Sequence, residues 1–458
     1  MSRSTVRAGT AALVALALSL AAATASAETL KEALATAYAN NPTLQAARAQ
    51  LRQVDEQVPQ ALSNWRPTVD AEGSIGKEWE RDTFKGPTND KANSREPKSA
   101  SLNLTQPIYR GGRTVAQRDQ AENLVSAGRA QLSSVEQQIL LRAVTAYVDV
   151  LRDLRVLDLT KNNHDVIAEQ LKATRERFDV GEVTKTDVSQ AEARLAQAVA
   201  DQIQARGNLT SSRAAFRQII GTPPGKLDVP ELPGGLPGGE EEAIALSDNT
   251  PTVGEAVFLE RASRDGTDVV FGELLPTISI VGQVGASDEI SNERLSSGTA
   301  SISAQVVIPL YQAGGVESRV RESKQLTAQR RQELDEARRQ ATQDATTAWE
   351  ALETARAQIE SFAAEVESNK TALDGVRQEQ QVGLRTVLDV LDAQQEVLTS
   401  EVSLVTARRD TIVAAYQTLA AVGKLTAADL QLPVEVYDPQ KHYREVRDKW
   451  WGLNASGQ

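Results

Sequence analysis

Residues 345–376 read ATTAWEALETARAQIESFAAEVESNKTALDGV, and one face of this stretch decides the fold. Ala345, Ala348, Leu352, Ala355, Ile359, Phe362, Val366, Asn369, Leu373 and Val376 follow one another in alternating steps of three and four. A seam with that period is the signature of α-helices packed along their length. The first half carries it too, in Leu140, Val144, Tyr147, Leu151 and Leu154. Around these seams the chain is written twice. Ala143-Val-Thr-Ala-Tyr147 matches Ala345-Thr-Thr-Ala-Trp349, Pro107-Ile-Tyr109 matches Pro309-Leu-Tyr311, and Val180-Gly181 matches Val382-Gly383, always 202 positions apart. Upstream, Asn41-Pro42-Thr43 matches Thr250-Pro251-Thr252 and Pro67-Thr68 matches Pro276-Thr277 at an offset of 209. The difference of seven falls between Thr68 and Pro107, so one loop there is longer in the first half. A constant offset over so long a span marks an internal duplication.

Each half repeats one order of elements. A helix leads to Pro67 or Pro276, two alternating segments follow, and a long helical stretch starts at Gly111-Gly112 or Gly314-Gly315. Residues 113–179 contain no Pro, and as one helix they would span ~100 Å. After Val180-Gly181 the periodicity restarts with Val188, Ala191, Leu195 and Ala198, so Gly181 and Gly383 read as the turns of two helical hairpins. The second returning helix carries two seams, one through Val390, Ala393, Val397, Ser400, Leu404 and Ala407, the other through Leu391, Gln395, Leu398, Val402 and Val405. A helix with two seams can touch a neighbour on each side, as a closed cylinder of helices requires. A long antiparallel coiled coil is the simpler reading of the same periodicity.

The segments between the helices alternate with period two. Residues 68–75 and 101–105 form one pair, and 277–284 and 300–306 the other, each with one apolar and one polar face. Their connections, near 82–97 and 287–298, read as polar loops. Trp65 and Tyr109 flank the strands of one half and Phe271 and Tyr311 those of the other, as in the aromatic girdle of a membrane barrel. Four strands are too few for a transmembrane barrel, and an open edge is not tolerated in lipid. If the strands enter a membrane, several subunits must share one barrel; three would supply twelve strands.

The remaining chain bounds the function class. Arg3 and Arg7, an apolar run over 11–23 and Ala25-Ser26-Ala27 read as a secretory signal peptide over 1–27. No later run is apolar and long enough for a transmembrane helix. No Cys is present, which excludes disulfides, thiolate metal sites and Cys nucleophiles. His164 and His442 are isolated in sequence, which argues against a His-based metal site. A net charge of −12 is a poor footprint for nucleic acid. Gly221-Thr-Pro-Pro-Gly-Lys226 has the wrong spacing for a phosphate loop, and Leu227 stands where Ser or Thr is needed. Glu240-Glu-Glu242 reads either as a solvated linker face or as a helix start favoured by charge. No catalytic constellation is present and no cofactor is expected.

The duplicated plan, the motifs Gln106-Pro-Ile-Tyr-Arg-Gly-Gly112 and Ile308-Pro-Leu-Tyr-Gln-Ala-Gly-Gly315, and the tip segments over 177–188 and 381–393 together resemble the TolC family of outer-membrane efflux and secretion ducts. The resemblance covers nearly all of the chain after 27. It implies a mainly α fold with β. Long helical hairpins form a trimeric α-barrel tunnel in the periplasm, continuous with a 12-stranded transmembrane β-barrel of four strands per protomer. It implies a mixed belt around the tunnel's middle. The expected organisation is a signal peptide over 1–27 and a first repeat over 28–222, with a β-hairpin about 68–106, a long helix about 112–179 and a returning helix about 187–220. A Pro/Gly-rich linker covers 223–242. The second repeat covers 243–428, with a β-hairpin about 277–308, a long helix about 315–381 and a returning helix about 388–422. A periplasmic tail follows over 429–458.

The same resemblance implies roles for residues. Asp389 and Asp392, three apart and so on one helical face, match the periplasmic pore constriction, where a trimer would stack two rings of carboxylates. Asp187 and Arg385 match positions that latch adjacent tips shut; Gln380 stands where the best-known member has a Tyr in that network. Val180, Gly181, Val382, Gly383, Leu384 and Arg385 match the tips that dock a periplasmic adaptor, with 180–182 the less typical copy. The implied partners are two further copies of the chain, the periplasmic adaptor (membrane fusion) protein, an inner-membrane ABC, RND or MFS transporter, and outer-membrane lipid. The implied function is passive conduction of substrates across the outer membrane. Two other classes stay open: a periplasmic adaptor, which the duplication and the absence of a lipoyl-like pattern oppose, and a structural coiled coil, which the signal peptide and strand pairs oppose.

Overall fold

The computed structural model describes residues 28–82, 91–288 and 296–454; the signal-peptide reading lies outside the described residues. The helices are α1 (Leu30–Asn40), α2 (Pro42–Asp55), α3 (Gln57–Ser63), α4 (Arg113–Asp179), α5 (Lys185–Ile220), α6 (Glu240–Ser247), α7 (Pro251–Phe271), α8 (Gly315–Gln381), α9 (Val387–Ala421) and α10 (Lys441–Val446). The strands are β1 (Thr68–Ile75), β2 (Glu78–Asp82), β3 (Lys91–Arg95), β4 (Lys98–Arg110), β5 (Thr277–Asp288) and β6 (Ser296–Val307). The two long helices, α4 and α8, have 67 residues each. No described helix is long and apolar enough to cross a membrane. The chain divides into two compact units.

One unit joins the residues up to Gln45 with Ser134–Thr250 and Ala341–Val436. Its core follows the seams. Leu373, Val390 and Val397, with Val376 and Ala393, bury one face of α9 against α8. Val387 and Leu391 bury another against Ile167, Leu171 and Ala191 of α4 and α5. The two seams of α9 therefore meet two sets of neighbours. Small residues let the helices close: Thr418 is fully buried and donates its hydroxyl to the Ala348 carbonyl at 3.1 Å. Higher up, Tyr147 and Phe216 are fully buried with ring centroids 6.3 Å apart. The Tyr147 hydroxyl lies 2.6 Å from the Glu28 carbonyl and 2.8 Å from that of Asp228, and accepts from the Asp228 N–H at 3.1 Å. Burial pushes its phenol up to about 12. That hydroxyl holds the first described residue and the Pro/Gly-rich segment to α4. The segment is shorter than expected, because α6 starts at Glu240 after Gly239, and the acidic triplet is the first turn of a helix. Carboxylates are favoured there by the unpaired N–H groups of the helix start.

The other unit joins Ala46–Ser133, Pro251–Gln340 and the residues from Tyr437 on. It contains all six of the described strands. Four form an antiparallel sheet in the order β1-β4-β5-β6. The register sorts its side chains, since paired residues stand on one face. Val69, Leu104, Gly282 and Ile302 form one row, and Ala71, Leu102, Val284 and Ala300 the next on that face. The opposite face carries Asp70, Asn103, Gln283 and Ser301, then Glu72, Ser101, Gly285 and Thr299. The apolar face is open: Val69, Leu102 and Val284 are exposed and Ile302 is 79% exposed.

Two expectations about the strands are corrected. β1 keeps its expected bounds, whereas β4, β5 and β6 are longer than their alternation: β5 and β6 continue through Ser, Ala and Gly positions whose side chains show little polarity contrast, and β4 runs on through Gln106-Pro-Ile-Tyr-Arg110. Pro107 is accommodated by a register shift between Pro107 and Tyr109. The polar connection expected over 82–97 is in part a second hairpin, β2 with β3. Its residues are charged rather than alternating, and opposite charges across the pair hold it: Arg95 Nε donates to Glu78 Oε2 at 3.0 Å. At the other end of the sheet, Gly111 crosses the chain at Gly272 so closely that a Cβ on Gly111 would lie 2.2 Å from the Gly272 carbonyl oxygen.

The C-terminal segment, expected as a tail, is folded onto this unit. His442, isolated in sequence, is buried with Nδ1 3.1 Å from Asp55 Oδ2. Tyr443 packs on the cluster of Val58, Ala61, Ala121 and Val125, with the Arg129 guanidinium 5.0 Å from its ring centre.

Candidate functional site

The tips of the two helical hairpins are built by one local grammar, used twice. α4 ends when Gly181 turns to φ +81°: its N–H bonds to the Phe178 carbonyl at 2.9 Å and that of Glu182 to the Arg177 carbonyl at 2.9 Å. α8 ends when Gly383 turns to φ +79°, with N–H bonds from Gly383 to Gln380 at 3.1 Å and from Leu384 to Glu379 at 2.9 Å. This closes the last free carbonyls of each helix and needs a residue at ease with positive φ, hence Gly. The returning helices start with reciprocal caps. The Thr184 N–H and hydroxyl both donate to Asp187 Oδ2 at 2.8 Å, and the Asp187 N–H returns a bond to the Thr184 hydroxyl at 3.3 Å. Thr386 and Asp389 repeat it at 2.8, 2.8 and 3.2 Å. Bonds from the Thr386 backbone and then its side chain hold the Asp389 carboxyl below the usual range.

This assigns work to two of the acids singled out from sequence. Asp187 and Asp389 are equivalent positions, and each caps its own helix. The Thr-x-x-Asp spacing was the signal for this role. Arg385 is not joined to Asp187 in the single chain: its Nε donates to Glu379 Oε2 of its own hairpin at 2.9 Å. That bond raises the Arg385 pKa. Asp392, one turn beyond Asp389, accepts from Arg194 of α5, which bridges the two returning helices. Arg194 and Glu379 carried no sequence signal: Arg194 meets Asp392 only through packing, and Glu379 meets Arg385 only across the tip turn. Val180, Val382 and Leu384 are exposed on the tips. The aromatics Trp65, Tyr109, Phe271 and Tyr311 are exposed beside the end of the sheet nearest Thr68 and Thr277. Among the described residues, no His, Cys, Asp and Glu cluster could hold a metal ion.

Long paired helices with capped tips and a four-stranded sheet are the fold of outer-membrane channels: the Campylobacter jejuni CmeC outer membrane channel superposes with a TM-score of 0.79 at 18% identity, covering 92% of this chain and 89% of that one. The chain belongs to the outer membrane efflux protein family, whose model matches residues 33–222 and 245–424. It is 36% identical to the outer membrane efflux protein BepC of Brucella suis over 93% of this chain and 92% of that protein. It is 26% identical to the outer membrane protein TolC of Escherichia coli over 91% and 87%. The protein is therefore an outer-membrane exit duct of efflux or type I secretion. The family is one of channels, not of enzymes.

Proposed function

We propose that three copies of the chain close one barrel of twelve strands and one periplasmic tunnel of helices. The observation that carries this is the sheet with one apolar and one polar face and with β1 and β6 as its edges. Backbone edges in lipid leave N–H and C=O groups without partners, so a sheet of four must find strands from other copies. The apolar face then meets lipid and the polar face lines the lumen. In this reading the halves 28–222 and 243–428 are repeats that each supply a strand pair and a hairpin.

The tips form the periplasmic mouth. Val382, Gly383, Leu384 and Arg385, with Val180 and Gly181, dock the adaptor, and an inner-membrane ABC, RND or MFS transporter supplies the energy. Asp389 and Asp392 ring the constriction, where stacked carboxylates favour cations. Arg385 restrains neighbouring hairpins by exchanging Glu379 for Asp187 of the adjacent hairpin. Trp65, Tyr109, Phe271 and Tyr311 sit at the membrane interface. The test is native mass after outer-membrane fractionation: a detergent-stable trimer with mixed helix and sheet supports the barrel, and a water-soluble monomer or dimer removes it.

A further inference from the structure

We infer that the segment following α10 is a lipid-surface anchor, in which Trp450, Trp451 and Leu453 enter the headgroup–acyl boundary of a phospholipid leaflet at the root of the sheet. The inference rests on the reading of the sheet as membrane-spanning and goes beyond it, since the segment is outside the strands and outside the residues that the family model matches.

The chain is carried to that root by specific contacts. His442 and Tyr443 fasten α10 to α2, α3 and α4. Seven residues later the segment reaches Arg66, which with Pro67 directly precedes β1. The Arg66 guanidinium donates to the Lys449 carbonyl at 2.6 Å and lies 4.9 Å from the Trp450 ring centre. The neighbouring Trp65 carbonyl accepts from Gln106 of β4 at 2.9 Å. The tail is thereby tied to the residues where two strands begin and end.

The loop is also shaped to present apolar groups. Gly452 turns it at φ +113°, and Lys449 Nζ closes it by donating to the Asn454 carbonyl at 2.7 Å. A loop closed in this way could fold its side chains inward. Instead Trp450 is 67% exposed, Trp451 91% and Leu453 fully exposed. Two adjacent indoles held out from an ordered loop need a covering surface.

Continuity and charge point to lipid. Tyr109 pairs with Ile278, and Ile278 with Val306, so an aromatic from the same end of the sheet lies in the apolar face. Indoles prefer the level where acyl chains meet headgroups, because the ring is apolar and its N–H needs a polar partner. Arg66 and Lys449 add cations beside them, suited to headgroup phosphates.

The test uses the full-length protein in vesicles of phosphatidylethanolamine and phosphatidylglycerol. Subtracting the emission of the Trp450→Phe, Trp451→Phe double variant isolates the tail indoles from Trp65, Trp79 and Trp349. Phospholipid brominated near the headgroup should remove most of this difference emission, lipid brominated near the chain end should remove less, and aqueous iodide should leave it nearly intact. Quenching by iodide without quenching by bromine would show tail indoles in water and overturn the anchor. Protection from both would show a neighbouring copy covering them and equally overturn it. Alkaline extraction separates the two readings: a protein that resists it but has iodide-quenched indoles loses only the anchor, while a protein stripped from the vesicles loses barrel and anchor together.

Discussion

At the first tip Arg177 Nε reaches forward to Glu182 at 3.1 Å; at the second Glu379 receives Arg385 Nε at 2.9 Å. Arg177 and Glu379 are equivalent positions of the two halves, but their partners are not, since Glu182 matches Leu384 and Arg385 matches Val183; each tip closes an ion pair of its own. The backbone around it is not changed: both turns use Gly at positive φ, and both returning helices begin with Thr capped by Asp. The turn and the cap answer needs that any helix end has. The charged residues are where the copies have diverged. Behind the caps the divergence continues, since Asp392 has no acidic counterpart at Gln190. A tunnel mouth built from alternating hairpins would therefore carry this second acid from one copy only.

Replacing each tip glycine by Val gives the largest expected effect. No atom lies within 4 Å of a Cβ at either Gly181 or Gly383, so the damage comes from the positive φ and not from a clash. Strain of ~1–3 kcal/mol at each tip should speed amide exchange there equally. Export should fall sharply for Gly383→Val and much less for Gly181→Val. Equal losses of export would erase the functional distinction between the tips.

The caps come next. Thr184→Ala and Thr386→Ala should each loosen the start of a returning helix by ~0.5–2 kcal/mol, measured by hydrogen exchange of the following turn. Unequal costs would mean that the shared grammar does not carry shared energy. The second cap also has a pH signature. The folded-state pKa of Asp389 is depressed, so its contribution is present above its unfolded value and is lost as pH falls through the folded one. Exchange at residues 387–391 should rise as pH drops below about 4, after correction for intrinsic rates, and Asp389→Asn should remove that rise.

The smallest effect belongs to the ion pairs. Both are well exposed, and exposed pairs contribute ~0–1 kcal/mol. Exchanging the residues, Glu379→Arg with Arg385→Glu, should leave the thermal transition nearly unchanged. A large shift would show the pair holding the hairpin together on its own.

How much of this could be read beforehand differs between the parts for physical reasons. The hairpins and their turns were legible because period and glycine are local signals: a seam step of three and four, then Val-Gly, then a restart. The strand faces were legible where Val, Ile and Leu alternate with Ser and Asn. They faded where Gly, Ala and Ser continue the ladder, since small residues have little face preference. β2 and β3 escaped because Glu78 and Arg95 stabilise a pairing by charge that hydropathy does not register. The break of the first helical segment into α1, α2 and α3 had a hint in Pro42 and Pro59, but its packing did not. The contacts Arg194–Asp392 and Asp55–His442 join residues 198 and 387 positions apart, and only the packed chain brings them together. His442 looked isolated for that reason.

The central proposal is that Asp389 and Asp392 ring the constriction while Arg385 restrains the tips, and planar-bilayer recording tests it most directly. Asp389→Ala with Asp392→Ala should weaken cation selectivity and block by a trivalent cation, without the channel needing to open wider. Arg385→Ser should raise resting conductance and leave selectivity in place. Full selectivity and block in the double Asp variant would contradict the account, because these carboxylates would then not line the constriction.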